Sequence, residues 1–181
     1  MKSKIYTFIF LVFMSLAVFA QETDKKAAKE KKRTEKENQV KALLDSGEFV
    51  FIADRAMPQG SRTVDLISYQ AYVKFQPDFI ESSLPYFGRA YSGVGYGNDS
   101  GLNFEGKPEN YTLEQGKKNA KIIKARVNGE NDSFNLQLTV TPSGYATLIV
   151  LSNNRNSISY SGVIKAPEKS LDKDTVKPKD H

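Results

Sequence analysis

The chain has 181 residues, 39% of them hydrophobic, with no cysteine, one histidine and a formal net charge of +5. That length suits one domain with tails. The composition excludes disulfides, thiolate nucleophiles and a lipid-modified cysteine, and because the histidine is the terminal His181, it also excludes His-dependent serine triads and His/Cys zinc sites.

Residues 1–20 read as an export signal. Lys2 and Lys4 form a positive start, Ile5 to Phe19 is an apolar run, and Val18-Phe19-Ala20 precedes Gln21 as a cleavage site. The run is shorter than the ~20 residues that cross a bilayer core, so no membrane span is expected after cleavage. The expected location is periplasmic or secreted. Residues 21–45 form a charged leader rich in Ala, Glu, Lys and Arg, a helix-favouring mixture. Glu22–Lys26 and Glu37–Lys41 are spaced as i,i+4 pairs. Val40, Leu43 and Leu44 are the apolar positions that dock the last turn, and Ser46-Gly47 ends the helix. Basic residues alternate with acidic ones throughout the leader, so no single-sign stripe for nucleic acid appears.

Residues 46–165 form the β domain. From Glu48 the hydrophobic period becomes two. Phe49, Phe51 and Ala53 alternate with Val50 and Ile52, and Pro58-Gln59-Gly60 is a turn. Strands follow at 64–67 and 70–75, then a turn at Gln76-Pro77-Asp78 and a short extended piece up to Pro85. Residues 92–101 are a glycine-rich loop. Short strands at 103–106 and 111–114 lead to a longer one at 120–127, and Asn128-Gly129 is a hairpin signal. Phe134, Leu136, Leu138 and Val140 alternate with Asn135, Gln137 and Thr139, which gives one buried and one wet face. Tyr145 to Leu151 is apolar on both faces, the pattern of a central, covered strand. A turn at Asn153-Asn154 precedes the last strand, 157–164. Short strands joined by tight turns describe an antiparallel meander, with no helical crossovers for parallel pairing. The fold class is mainly β: a single antiparallel sandwich or barrel-like domain of about eight strands, preceded by a charged helix. Residues 166–181 are polar and expected to be a disordered tail.

The phrases Leu84-Pro85-Tyr86-Phe87-Gly88-Arg89-Ala90-Tyr91, Gly101-Leu102-Asn103-Phe104, and Asn154-Arg155 followed by Ile158-Ser159-Tyr160-Ser161-Gly162 resemble a bacterial family catalogued as domain of unknown function 4251. The resemblance covers about two-thirds of the chain, within the usual error of sequence-drawn boundaries. It implies an exported protein of Gram-negative bacteria and supplies no catalytic residues.

The residues themselves offer one cluster of interest. Tyr86, Arg89, Tyr91, Tyr96 and Arg155 are candidate binding residues: tyrosines beside a glycine loop present large rings at low conformational cost, and arginine stacks on rings or pairs with carboxylates. The opposing expectation is that the rings are core, since a chain without Trp fills its interior with Phe and Tyr. Gly93, Gly95, Gly97 and Gly101 lack dinucleotide spacing, because Asn98 stands where the third glycine belongs. Asn98, Asp99, Ser100 and Glu105 lack the acidic spacing of a calcium loop. No cofactor and no metal are implied. Glu81, Glu105, Glu109 and Glu114 are candidates by type for a carboxylate-dependent hydrolase. Three functions stay open at this point: a non-enzymatic binding or interaction module whose partner is a small molecule or an envelope protein, a hydrolase of carbohydrate or envelope material, and a structural envelope protein using its leader helix.

Overall fold

The computed structural model describes residues 26–91, 101–129 and 132–167. The export segment, most of the glycine-rich loop with Tyr96, and the tail from 168 with His181 lie outside the described residues.

The leader is helical over residues 26–46, here α1. Of its three docking positions, Val40 and Leu44 are buried and Leu43 packs half-buried against the core. The helix stops where Gly47 N–H donates to Leu44 O at 3.3 Å and the Ser46 hydroxyl to Leu43 O at 2.8 Å. The spacing of Glu37 and Lys41 predicts an ion pair, but Glu37 turns the other way and accepts from Arg33 Nε at 2.8 Å. Arginine presents more hydrogen-bonding directions than lysine, so it holds the carboxylate better on an exposed helix face.

Ten strands follow: β1 (Phe49–Pro58), β2 (Val64–Asp65), β3 (Tyr72–Gln76), β4 (Phe79–Pro85), β5 (Gly101–Gly106), β6 (Glu109–Gln115), β7 (Lys121–Asn128), β8 (Ser133–Val140), β9 (Tyr145–Ser152) and β10 (Ile158–Lys165). The count is somewhat above the expected eight, and the strand expected at 64–67 is reduced to the two residues of β2. All pairings are antiparallel, in one sheet ordered β5-β4-β3-β1-β10-β9-β8-β7-β6, with β2 on β1. The barrel-like alternative is therefore the one adopted, with the barrel left half open: β5 and β6 are the two edges and do not pair. The curl brings Phe104 of β5 onto Phe134 of β8, stacked at 4.2 Å between ring centres.

Alternate residues of β1, β3, β4, β5, β7, β8, β9 and β10 are buried inside the curl, whereas β6 is exposed along its length. Phe49, Phe51, Val73, Phe75, Ile80, Leu84, Ile123, Val127, Leu138, Leu148, Ile158 and Tyr160 are buried there with α1 Val40 and Leu44, in one core. The register of β1 slips between Ala53 and Arg55, so the inward parity passes from odd to even, from Ala53 to Ala56. Such a bulge bends and twists a strand, which helps this sheet curl. Opposite it, Gly162 of β10 lies so close to β1 that a Cβ there would overlap the carbonyl oxygen of Ile52. One expectation fails on β9. It is central, and Ala146, Leu148 and Val150 are buried, but its other face is not covered: Tyr145 is 63% exposed and Leu151 49%. Among the described residues no second sheet lies over that face, and α1 reaches it through Lys36, 5.7 Å from the Tyr145 ring centre.

Candidate functional site

Four of the five candidate residues gather at the base of the glycine-rich loop. The fifth, Tyr96, lies outside the described residues. Ala90 and Arg155 form an isolated antiparallel bridge between the segment leaving β4 and the β9–β10 turn. The bridge is framed by Tyr91 N–H donating to Asn154 O at 2.8 Å and Asn156 N–H donating to Arg89 O at 3.0 Å. The Tyr86 hydroxyl proton lies between two carbonyl oxygens, Arg89 O at 2.8 Å and Asn156 O at 3.0 Å. The Tyr91 hydroxyl donates to Asn156 Oδ1.

Arg155 locks this arrangement. Its guanidinium lies over the Tyr86 ring, 5.3 Å from the centre, and Nη1 donates to Gly101 O at 2.6 Å. A charge-assisted bond of that length is among the stronger kinds, and the stacking adds a cation–π contribution. Gly101 opens β5, so one side chain ties the far end of the loop to its near end. Beneath it, fully buried Tyr160 donates from its hydroxyl to Pro85 O at 2.8 Å. Burial pushes the phenols of Tyr160 and Tyr86 up; for Tyr86 the Arg155 charge and the Asn156 backbone contact oppose the shift. Both therefore stay protonated donors at neutral pH.

Among the described residues this clasp carries no carboxylate, and the donors just named are occupied by main-chain or side-chain oxygens of the protein. Tyr86 and Arg155 thus have a defined structural task. What remains available lies around it. The Tyr91 ring is 71% exposed, and among the described residues the exposed Arg89 guanidinium has no partner. Tyr69, half exposed, meets Phe87 edge-to-face at 6.1 Å, and Ile67 is 81% exposed two residues earlier. The sequence pattern placed Ile67 at a strand end and gave Tyr69 no role. Strand β2 stops at Asp65, whose carboxylate accepts from Ile67 N–H at 2.9 Å, and residues 67–69 turn outward. An Asp two residues ahead of Ile67 was the available signal for that turn.

The candidate carboxylates lie elsewhere. Glu81 and Glu105 are direct partners across β4 and β5. Glu81 accepts from the Tyr72 hydroxyl at 2.6 Å and Lys74 Nζ at 2.9 Å, and these two contacts hold its carboxyl below the usual range. Glu114 is held low by Lys124 at 2.9 Å, and Glu109 accepts from Asn128 Nδ2 at 3.0 Å. A general acid needs its pKa raised, the opposite direction from Glu81 and Glu114. Among the described residues no three His, Cys, Asp or Glu side chains gather as a metal site, and no helix is long and apolar enough to cross a membrane.

These features define a small antiparallel β half-barrel, filled by aromatic and aliphatic side chains, capped by a charged helix and clasped at one long loop. Residues 31–164 match the family described as Domain of unknown function (DUF4251), and the chain belongs to that family. The crystal structure of a DUF4251 family protein from Bacteroides eggerthii DSM 20697 is similar, with a TM-score of 0.56 and 20% identity, covering 72% of this chain and 87% of that one. No curated protein matches the chain.

Proposed function

We propose that this protein is an exported, non-enzymatic interaction module that engages another protein of the cell envelope through the rim beside the clasp. The observation that carries this reading is the exposed set Ile67, Tyr69, Tyr91 and Arg89, with Phe87 behind Tyr69. Tyr, Phe and Arg are the side chains enriched where proteins meet, and the Tyr69–Phe87 contact joins the 67–69 turn to the segment that carries Arg89 and Tyr91. The clasp supports the role by holding the rim's backbone rigid, which lowers the ordering cost of association. Export is supported by the positive start, apolar run and small residue at the end of 1–20.

Two measurements test it. N-terminal sequencing of protein recovered from the host should start at Gln21 in the periplasmic or secreted fraction; a full-length cytoplasmic product refutes export. A photo-crosslinking residue at Tyr69 or Tyr91 should give one discrete adduct that excess unlabelled protein competes away and Arg89→Ala abolishes. The same probe at Tyr145 should not give that adduct. Equal labelling from Tyr145, or none from the rim, refutes the interface.

A further inference from the structure

At another place in the fold, α1 and the β6–β7 connection face each other across a groove of about 380 Å³. One wall is the helix, with Arg33, Glu37 and Lys41. The other is the connection and the start of β7, with Lys118, Asn119 and Lys121. Four cations therefore line the groove against one carboxylate. That carboxylate is already engaged, since Glu37 accepts from Arg33 at 2.8 Å. Among the described residues Lys41, Lys118 and Lys121 have no ion-pair or hydrogen-bond partner. Three lysines, one from the helix and two from the facing connection, thus line one groove whose single carboxylate is paired with Arg33.

The connection is fixed rather than loose. Gly116 N–H donates to Ala120 O at 2.8 Å, Ala120 N–H to Lys117 O at 3.1 Å, and Gln115 Nε2 also donates to Ala120 O at 3.2 Å. Lys118 (φ 53°) and Asn119 (φ 59°) both occupy the left-handed region. Asn is common there; Lys is not, and a glycine would adopt it more readily. The sequence nevertheless places a lysine at the tip facing α1.

We propose that this groove binds a phosphate group, presented either by a soluble ligand or by a lipid headgroup. Phosphate fits better than carboxylate for two reasons. Among the described residues the one guanidinium lining the groove, Arg33, already shares its Nε–H with Glu37, so the uncommitted cations are lysines rather than a free fork suited to carboxylate. Three separate ammonium groups act as point charges that can surround a tetrahedral dianion from several sides. The site exists only while α1 is docked through Val40 and Leu44, which gives the charged leader a role in binding independent of the aromatic rim.

The test is a titration of the full chain with inorganic phosphate, read by amide and lysine-methylene NMR shifts at low ionic strength. Saturable shifts should localise to Lys41, Lys118, Asn119 and Lys121, and the affinity should fall as salt is added. The double variant Lys118→Gln/Lys121→Gln should bind about tenfold more weakly or worse, and Lys41→Gln should weaken binding from the opposite wall. Lys29→Gln/Lys32→Gln removes the same charge from exposed helix positions outside the groove and should bind as the parent does. A parallel arm uses vesicles of phosphatidic acid, a phosphomonoester, and of phosphatidylcholine. Groove-dependent binding to the former assigns a lipid headgroup, and phosphate binding without vesicle binding assigns a soluble ligand. Non-saturable shifts spread over all lysines, or equal weakening in the groove and control doubles, would overturn the proposal.

Discussion

Gly162→Ala probes the closest backbone approach in the sheet. A methyl group there would overlap Ile52 O, and it would stand 2.9 Å from the Ile52 carbonyl carbon and 3.0 Å from Ala53 Cα. Every obstacle is main chain, so no rotamer change relieves it. β1 and β10 must separate at the Ala53–Gly162 pair, the centre of the nine-strand path. Overpacking of this kind costs about 1–3 kcal/mol, and a stretched ladder bond adds about 1 kcal/mol. The expected loss is about 2–4 kcal/mol, a large share of the ~5–15 kcal/mol that holds a domain together. At roughly 3–5 °C per kcal/mol for a domain of this size, the midpoint of thermal unfolding should fall by about 6–20 °C. Circular dichroism melts and urea titrations measure both quantities. Gly60→Ala is the control: φ is +76° and nothing lies within 4 Å of the added methyl, so only left-handed backbone strain of about 1–2 kcal/mol is expected. If Gly162→Ala melted within about 3 °C of the parent, the close approach of β1 and β10 would be wrong.

Tyr160→Phe removes the donor to Pro85 O from a fully buried ring and should destabilise by about 1–3 kcal/mol in urea, with no change in fold by near-ultraviolet dichroism. A neutral result would mean that water satisfies that carbonyl. Arg155→Lys keeps the charge but loses the planar group over Tyr86; amide exchange at Tyr86–Tyr91 and Gly101 should speed up as it does in Arg155→Ala. Full protection in the lysine variant would refute the clasp. Glu81 has its folded pKa lowered, first by the Tyr72 hydroxyl and then by Lys74, so its stabilising contribution is present above the unfolded value near ~4.3 and is lost as pH falls through the lowered folded value. Glu81→Gln should therefore be less stable than the parent at pH 7 and match it in strong acid, as read by urea midpoints; a gap that persists in acid would place the effect elsewhere.

The elements of this fold were legible where local pattern and burial agree. Phe134 to Val140 alternates strictly and lies as read, one face in the core. The docking of Val40 and Leu44 followed from their isolation in a charged helix. The uncovered face of β9 was not legible, because Ile149 and Leu151 look the same in sequence whether a second layer exists or not. The clasp was half legible. Tyr86, Arg89, Tyr91 and Arg155 stand out together in the sequence, yet what joins them is a set of bonds mostly to main-chain oxygens, some 54 to 70 residues away, for which no side-chain signature exists. Tyr69 and Ile67 escaped notice because apolar residues between two strands read as strand ends. The pairing of Glu37 with Arg33 rather than Lys41 was a choice between equal spacings, decided by the geometry of the guanidinium.

The central pair of the sheet joins β1 with β10, the first and last of the described strands. A growing polypeptide can form the β7–β8–β9 meander early, since those contacts are local. It cannot complete the middle of the sheet until synthesis has passed Lys165. Before then β1 exposes Phe49 and Phe51 with no partner on that side, and the half-made product is the kind of chain that chaperones retain. Removal of even the final strand would thus leave two separate fragments of sheet rather than a slightly smaller domain.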